Sequence, residues 1–346
     1  MNSFSAVIIR WFRENGRDLP WRETRDPYAI WLSEIILQQT RIVQGWEYWE
    51  RFMQTYPKVE DLAAASEDDV LKLWQGLGYY SRARNLHTAA KQIVALGDFP
   101  NTLEGIKSLK GVGDYTAAAI GSFAFDIPAA VVDGNVYRVL SRYFGIDTPI
   151  NSTQGKKEFA ALAQSLLPAS DAASYNQGMM DFGAIQCTPQ SPKCLLCPLA
   201  ETCEALRCGR VEELPVKNKT VKVKTRHLSY IYIRCKSLAA DGIGKSEPMV
   251  AIHRRGEGDI WQGLWEPYNV SDVKELPSFV KNPILLAKDV KHVLTHRILL
   301  ADFYLLEIES RPPLPDDYIW IKESEIEDYG VPRLIEIMLE KINPAE

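Results

Sequence analysis

The chain has 346 residues, 46% of them hydrophobic and 25% charged, which is the profile of a globular protein long enough for two domains. Its formal net charge is −5, so it lacks the overall basic character of a general nucleic-acid binder, although phosphates respond to local charge and a basic groove would suffice. No apolar run is long enough to cross a membrane, and the first fifteen residues do not have the pattern of a signal peptide. We therefore expect a cytoplasmic protein, in which six cysteines favour metal ligation over disulfides.

Helical spacing dominates residues 1–208. Apolar residues recur three and four positions apart in one segment after another, from residues 4–15 to residues 174–185. Ser66 is followed three positions later by Asp69, which predicts a capped helix start. This half contains no convincing strand pattern, so we predict an all-α domain.

The pattern changes after residue 208. Residues 215–226 contain five Lys or Arg and no acid, which predicts a solvated basic linker over residues 209–226. Beyond it, alternating segments and one amphipathic helix predict a smaller α+β domain over residues 227–346. The strand candidates and the final helix are residues 227–235, 248–255, 298–309 and 331–342.

A single carboxylate interrupts the apolar run WLSEIILQQTR at residues 31–41. Glu34 is crowded by apolar neighbours on both sides, and a carboxyl group packed in this way is pushed to keep its proton. The spacing is also typical of a polar helix face that Glu34 shares with Gln38 and Arg41.

Residues 109–117 read LKGVGDYTA. Two glycines followed by a helix-forming run predict a turn whose backbone N–H groups point at an anion near the helix start. An ordinary corner between two helices accounts for the same pattern.

Asp133 precedes Gly134 and a run with helical spacing, so it fits a helix N-cap. Capping alone explains this position. A carboxylate at the positive end of a helix also stays ionised. Together with a protonated Glu34 it would form the acid and carboxylate pair that glycoside-bond chemistry uses.

Four cysteines close the helical half, with the spacing C-x6-C-x2-C-x5-C and three prolines in residues 187–203. Four thiolates in so short a loop need a metal to lower their pKa values and neutralise their charge. Zinc and an iron–sulfur cluster both accept four thiolates. A single C-x-x-C pair favours the cluster, and Cys208 and Cys235 fall outside the pattern.

Taken together, these segments resemble the helix-hairpin-helix DNA glycosylases, and most closely the MutY-type adenine DNA glycosylases. The resemblance covers nearly all of the first 205 residues, whereas residues 227–346 look more loosely like the MutT-like (Nudix-fold) domain of such enzymes. The matching segments are LPWR at 19–22, SEIILQQTR at 33–41, QGLGYYSRARNLH at 75–87, LKGVGDYTA at 109–117, VVDGNVYRV at 131–139 and the cysteine loop at 187–203.

The resemblance implies an all-α helix-hairpin-helix domain with one [4Fe–4S] cluster, followed by a smaller α+β Nudix-like domain. It implies removal of adenine mispaired with 8-oxoguanine, or with guanine, from double-stranded DNA, after the adenine is flipped out of the helix. We expect a monomer. The cluster would be held by Cys187, Cys194, Cys197 and Cys203. The hairpin that grips the DNA backbone would consist of Lys110, Gly111, Val112 and Gly113.

The resemblance also implies roles in the reaction. Glu34 would donate a proton to the adenine ring and later act as base for the attacking water. Asp133 would stabilise the oxocarbenium-like sugar, either directly or as a transient covalent adduct. Tyr115 and Asn135 would orient these groups. The positions around the adenine match Trp21, Arg22 and Gln177, and the intercalating positions match Gln39 and Tyr79.

Two features separate this sequence from neighbouring families. Tyr115 stands where the endonuclease III-like branch has the lysine that cuts the strand, so we expect little or no lyase activity. The Nudix-like half lacks the acidic run that hydrolysis of nucleotides needs, so we expect it to recognise the lesion strand. Leu294, Thr295 and His296 resemble the loop that meets 8-oxoguanine, although relatives often carry Phe-Ser-His there.

Three other functions fit parts of the pattern. The first is a DNA-binding iron–sulfur protein without enzymatic activity, which has no need of both Glu34 and Asp133. The second is a bifunctional glycosylase and lyase for oxidised pyrimidines, which Tyr115 and the second domain oppose. The third is a ferredoxin-like electron carrier, for which one cluster loop in a large helical domain is a poor design.

Overall fold

The computed structural model describes residues 3–218, 223–236, 247–271 and 277–343. By its internal contacts the chain divides into two compact units. The first, which we call the helical unit, comprises Met1–Ala63 and Thr88–Lys219. The second, the sheet unit, comprises Ala64–His87 and Thr220–Glu346. Among the described residues, no helix combines the length and the apolar character that a membrane crossing requires.

Several helices begin at a side chain that caps them. Asp26 accepts a hydrogen bond from the backbone N–H of Tyr28, and Ser66 accepts one from Asp69, which confirms the helix start predicted there. In chain order the helices are α1 (Ser3–Asn15), α2 (Pro27–Ile36), α3 (Ile42–Thr55), α4 (Val59–Ala64), α5 (Glu67–Trp74), α6 (Ser81–Leu96), α7 (Leu103–Ser108), α8 (Asp114–Phe125), α9 (Gly134–Phe144), α10 (Thr153–Leu166), α11 (Ala172–Asp181), α12 (Glu204–Arg207) and α13 (Arg333–Ile342).

The core of the helical unit is built from amphipathic helices. α1, α9 and α11 each place an apolar face inward, because their apolar residues recur three and four positions apart. Ile8, Leu140 and Met179 are almost completely buried in one cluster where these helices meet. The described residues of this unit contain no strand, as the helical spacing predicted.

The described residues of the sheet unit form a seven-stranded mixed sheet. Its strands are β1 (Lys224–Cys235), β2 (Met249–Arg254), β3 (Trp265–Glu266), β4 (Tyr268–Ser271), β5 (Ile284–Leu294), β6 (Arg297–Ile308) and β7 (Tyr318–Lys322). The main path has the order β3-β2-β1-β6-β5, and β4 pairs with β1 while β7 pairs with β2. β1 and β6 run parallel, and the other pairs are antiparallel.

The α+β character of this unit was predicted, and its details extend the prediction. The three predicted strands correspond to β1, β2 and β6, and β1 begins at Lys224 inside the predicted linker. β3, β4, β5 and β7 were not predicted. α13 packs on the sheet through Leu334, Ile335 and Met338, which belong to the same buried cluster as β1 and β6.

Residues 64–87 form part of the sheet unit although they lie early in the chain. Lys72 donates a hydrogen bond to the carbonyl of Tyr329 at 3.3 Å, and Gln75 accepts one from the N–H of Val331 at 3.3 Å. The grouping by contacts is therefore discontinuous along the sequence. The predicted domains, 1–208 and 227–346, are continuous, and their boundaries stay a prediction.

Candidate active site

Glu34 is buried on α2. Every residue of this helix from Tyr28 to Ile36 is buried, and Glu34 itself is only 7% exposed. An exposed polar helix face therefore does not explain this glutamate. Its side chain lines a cavity of about 870 Å³ within the helical unit. Tyr115, Asp133, Asn135 and Gln39 line the same cavity.

Burial controls the protonation of Glu34. It raises the pKa of Glu34 from 4.5 to about 7, because the charged form loses its hydration. The hydroxyl of Tyr115 donates a hydrogen bond to Oε2 at 3.1 Å and lowers this pKa, the charge of Asp133 raises it, and the charge of Arg22 lowers it. Burial also raises the pKa of Tyr115 well above its ordinary value, so this hydroxyl remains a donor. Glu34 is therefore protonated in about half of the molecules at pH 7.

Asp133 lies in the same cavity with different neighbours. It is the N-cap of α9, and its Oδ1 accepts a hydrogen bond from the N–H of Val136 at 2.7 Å. Its Oδ2 accepts another from Nδ2 of Asn135 at 2.7 Å. Burial raises the pKa of Asp133 above its ordinary value, and these donors and the charge of Arg138 oppose part of this rise. The capping role and a role in the cavity are thus compatible.

Arg138 connects Asn135 to the segment that follows α11. Its guanidinium donates to Oδ1 of Asn135 at 2.8 Å, to the carbonyl of Gly183 at 2.7 Å and to the carbonyl of Cys187 at 2.7 Å. Gly183 lies in a π-helical turn, Phe182–Gln186. A Cβ added to Gly183 would lie 2.5 Å from Cβ of Asn135, so only glycine permits this approach.

The predicted adenine-contacting residues lie outside the lining of this cavity. Trp21 is buried edge-on against Trp46 and Trp49, and Gln177 lies half-buried on α11. Arg22 nevertheless acts on the pKa of Glu34 through its charge. The guanidinium of Arg22 donates to a carboxylate that the sequence did not single out, Asp181, which is 0% exposed.

Asp181 also accepts hydrogen bonds from Arg17, a residue that lines the cavity and that sequence reasoning missed. Asp181 lies 159 residues from Arg22 and 164 residues from Arg17 along the chain. A charged residue on the buried face of α11 was the only signal that the sequence offered for this group.

The predicted hairpin is the turn between α7 and α8. Gly111 has φ of +79°, a conformation that favours glycine, and Val112 is buried beneath the turn. Among the described residues no side chain caps α8, a helix of twelve residues that begins at Asp114. A Cβ on Gly113 would meet no atom within 4 Å, so open space lies beside the start of α8, the end of a helix that attracts anions.

The residues predicted to contact the lesion strand meet in the sheet unit. Leu294 ends β5, Thr295 and His296 form the turn, and β6 begins at the next residue. These three residues and Tyr79 line a second cavity of about 640 Å³. The hydroxyl groups of Tyr79 and Thr295 are hydrogen-bonded to each other.

The two residues predicted to intercalate both have a left-handed backbone. Tyr79 is 47% exposed and has φ of +47°, and Gln39 in the first cavity has φ of +57°.

The four predicted ligand cysteines line a small cavity of their own. Cys187, Cys194, Cys197 and Cys203 surround it together with Arg142, whose guanidinium lies 3.4 Å from Sγ of Cys187. Burial, and the proximity of the other thiols, raise the pKa of Cys197 to about 11. Burial also raises the pKa values of Cys194 and Cys203, and all four cysteines line one cavity, so the donor set fits an iron–sulfur group. Cys208 is exposed and Cys235 is buried in β1.

Three family models match the chain. A model of the "HhH-GPD superfamily base excision DNA repair protein" matches residues 32–168. A model of the iron-sulfur binding domain of endonuclease III matches residues 187–203, which contain the four cysteines. A model of the NUDIX domain matches residues 243–341.

Curated relatives of this chain are adenine DNA glycosylases. An adenine DNA glycosylase of Buchnera aphidicola subsp. Acyrthosiphon pisum is 31% identical over 349 residues, which cover 97% of this chain and 97% of the relative. The adenine DNA glycosylases of Mus musculus and Homo sapiens are 42% and 41% identical over 62% of this chain, which corresponds to 44% and 41% of their own lengths.

Solved structures agree on the fold of the helical part. A thermostable thymine-DNA glycosylase is 34% identical, with a TM-score of 0.55, and the match covers 59% of this chain and 95% of that protein. A trapped endonuclease III–DNA covalent intermediate, 22% identical with a TM-score of 0.52, shares the fold over 59% of this chain and 94% of its own. By its near full-length relatives and by the order of its three matched regions, the chain belongs to the adenine DNA glycosylase family of base excision repair enzymes.

Proposed function

We propose that this adenine DNA glycosylase removes adenine mispaired with 8-oxoguanine, or with guanine, from duplex DNA by acid-assisted hydrolysis of the N-glycosidic bond. The observation that supports this reaction most directly is one cavity that holds both Glu34, whose pKa burial raises to about 7, and a hydrogen-bonded Asp133. Asp133 accepts hydrogen bonds from two N–H donors, which suit a charge-stabilising carboxylate, whereas Glu34 suits the role of the acid.

The first step would break the bond between the sugar and adenine. Glu34 donates its proton to a ring nitrogen of adenine, and the electron pair of the breaking C–N bond leaves with the base. The sugar becomes an oxocarbenium-like cation. Asp133 would face this positive charge as a carboxylate, the form that its hydrogen bonds from Val136 and Asn135 favour.

The second step would add water to the sugar. Glu34, now a carboxylate, accepts a proton from the water whose oxygen bonds to the sugar carbon, and this returns Glu34 to its protonated form. The products are free adenine and an abasic site. Tyr115 holds the Glu34 carboxyl group through its hydrogen bond in both steps.

We propose that the enzyme has little or no lyase activity. Strand cutting through a Schiff base needs an amine, and the described residues that line the cavity include arginines and a tyrosine but no lysine. Treatment with borohydride during turnover would trap a covalent adduct if a Schiff base formed. Strand cleavage without alkali, at a rate equal to that of base release, would contradict this part of the proposal.

We propose that DNA is gripped by the turn formed by Lys110, Gly111, Val112 and Gly113, because this turn leads into the N-terminus of α8, the end of a helix that suits a phosphate. Gln39 and Tyr79 would fill the helix when the adenine leaves it, and Trp21, Arg22 and Gln177 would contact the flipped base. The enzyme would act as a monomer in the cytoplasm.

Reading of the lesion strand is proposed for the cavity that contains Tyr79, Leu294, Thr295 and His296. Hydroxyl and imidazole groups at a hairpin turn offer donors and acceptors to a base edge. The hydroxyl of Thr295 is hydrogen-bonded to the hydroxyl of Tyr79. A residue proposed to meet 8-oxoguanine is therefore in direct contact with a residue proposed to enter the DNA double helix.

We propose that Cys187, Cys194, Cys197 and Cys203 hold one [4Fe–4S] cluster. When bound, the cluster would supply four iron–sulfur bonds that fix the loop of residues 187–203. The carbonyl of Cys187 accepts a hydrogen bond from Arg138, which also donates to Oδ1 of Asn135. The side chain of Arg138 therefore connects the position of the loop to that of Asn135.

The decisive experiment uses duplexes with one adenine opposite 8-oxoguanine, one adenine opposite guanine, and one thymine opposite guanine. We expect release of free adenine from the first two duplexes, faster from the first, and no release from the third. Glu34→Gln should bind the first duplex yet lower the rate by about 10²–10⁴-fold. Glu47→Gln, a change at an exposed site on α3, is the matched control. Binding without release by the wild type would contradict the proposed reaction.

A further inference from the structure

Asp181 is a fully buried carboxylate at the end of α11 that has no role in the mechanism proposed above. Arg22 donates to both of its oxygens at 2.8 Å. Arg17 donates to it from its backbone N–H at 2.9 Å and from Nε at 3.0 Å. One negative charge thus lies between two guanidinium groups, in the charge-assisted geometry that fixes arginine side chains most firmly.

The hydrogen bonds keep Asp181 ionised. Burial alone would raise the pKa of Asp181, but the hydrogen bonds from Arg22 and Arg17 together outweigh burial and hold the pKa below its ordinary value. The side chain of Arg22 is only 13% exposed. An arginine with so little access to water needs a counter-charge, and Asp181 provides it.

The two arginines also belong to the surroundings of Glu34. Arg17 lines the cavity that contains Glu34, and the charge of Arg22 favours the ionised form of Glu34. A proton donor must keep its proton until the substrate arrives. A negative charge in contact with both guanidinium groups reduces their combined field at Glu34.

Other charged and titratable groups face Glu34 as well. Tyr115 on α8 donates to it, and Asp133 at the start of α9 repels its ionised form. Arg41 and Arg138 line the same cavity. A substitution at Asp181 leaves all of these groups in the chain, so its effect on Glu34 can be separated from theirs.

We propose that Asp181 is a positioning residue for base removal, which fixes Arg22 and Arg17 beside the adenine pocket and offsets their charge so that Glu34 keeps the proton it donates. This inference rests on the proposed role of Glu34 as the acid. It adds a carboxylate that touches neither the base nor the sugar to the groups that determine the rate.

The test is the pH dependence of adenine release in single turnovers with full-length protein. The wild-type rate should fall as the pH rises through about 7, because Glu34 loses its proton there. In Asp181→Asn the positive charge is no longer offset, so this fall should move to lower pH by about one unit. In the double variant Asp181→Asn with Arg22→Gln, the net charge of the group equals that of the wild type, and the fall should return toward its original position.

Asp171→Asn is the matched control, because Asp171 makes an exposed ion pair with Arg13 at the other end of α11. Its pH profile should match the wild type. If Asp181→Asn does not fold, Arg22→Gln alone tests the same charge, and the fall in rate should move to higher pH.

The possible results separate two failures. A lower rate in Asp181→Asn with an unmoved pH profile, repeated in the double variant, would overturn the role of Asp181 and leave a purely structural one. A wild-type enzyme that releases no adenine at any pH would instead overturn the proposed function on which this inference rests.

Discussion

The hydroxyl of Tyr115 donates a 3.1 Å hydrogen bond to Oε2 of Glu34, a residue 81 positions away in the chain. α8 and α2 bring the two side chains into one cavity. The bond stabilises the ionised form of Glu34 and so opposes the effect of burial on its pKa. The pKa of about 7 is therefore a balance that single substitutions can move in either direction.

Tyr115→Phe should favour the protonated form of Glu34 over its carboxylate. Without the hydroxyl, the pKa of Glu34 should rise above about 7, and the alkaline fall in the rate of adenine release should move to higher pH by less than about one unit. This shift is opposite to that expected for Asp181→Asn. Tyr143→Phe, a change at a ring outside the cavity lining, should leave the pH profile unchanged. A shift of the Tyr115→Phe profile to lower pH would contradict the assignment.

Glu34→Gln should stabilise the folded protein while it removes activity. The pKa of Glu34 is about 7 in the folded protein, against an ordinary value of 4.5. The free energy of unfolding therefore decreases as the pH rises from 4.5 to 7, and it stays constant above this window as far as Glu34 is concerned. The free energy of unfolding at pH 8 should therefore increase by about 2–3 kcal/mol in the variant. Denaturant titrations at pH 4 and pH 8 measure it, and an equal effect at both values would exclude ionisation as the cause.

Gly183→Ala should lower the rate more than it weakens DNA binding. The added methyl group would lie 2.5 Å from Cβ of Asn135, so Asn135 would have to move. This movement would disturb the hydrogen bond that Nδ2 of Asn135 donates to Asp133. A displacement of about 1 Å in a catalytic group can cost roughly 10²-fold in rate. Single-turnover rates and binding constants separate the two effects. Gly256→Ala, where a Cβ meets open space, is the control and should behave as the wild type.

Thr295→Val should reduce the preference for 8-oxoguanine over guanine opposite adenine. The substitution keeps the shape and removes the hydroxyl that is bonded to Tyr79. One such bond contributes about 0.5–1.5 kcal/mol, which corresponds to a loss of preference of about 3–10-fold. Tyr79→Phe should have a similar effect, and the double variant should lose no more than either single one. Additive losses would show that the two hydroxyl groups act separately.

Cys197→Ser should abolish the visible absorption of the iron–sulfur centre and lower the yield of folded protein. The wild type should contain about four iron and four sulfide ions per chain if the cluster is [4Fe–4S]. Cys208 is exposed and lies outside the cysteine-lined cavity, so Cys208→Ser should retain the full iron content. Zinc in place of iron in protein purified without oxygen would contradict the proposed cluster.

The sequence carries the local features of this fold well and its distant contacts poorly. Helical spacing and caps predict α5 and α9, because these depend on residues three and four apart. β5 escaped prediction because two register shifts, the second of which contains the left-handed Asp289, break the alternation of its side chains. Spacing singles out Glu34 and Asp133 but leaves their meeting in one cavity to the family resemblance.

The ion pairs of Asp181 and the requirement for glycine at position 183 could not be predicted from the sequence. An arginine near residue 20 and an acid at residue 181 have no periodic relation, so their ion pair is set by how α11 packs on α1. The need for glycine at 183 arises from the start of α9, 48 positions earlier. Such requirements become visible only when the helices are assembled.

The early segment of residues 64–87 has a consequence for how the chain folds during synthesis. Gln75 makes its hydrogen bond to a residue 256 positions later. At a translation rate of about 5–20 residues per second, α5 leaves the ribosome roughly 13–50 seconds before that partner exists. Nascent chains would carry the apolar face of α5, with Leu71 and Trp74 on it, without its final packing for that time.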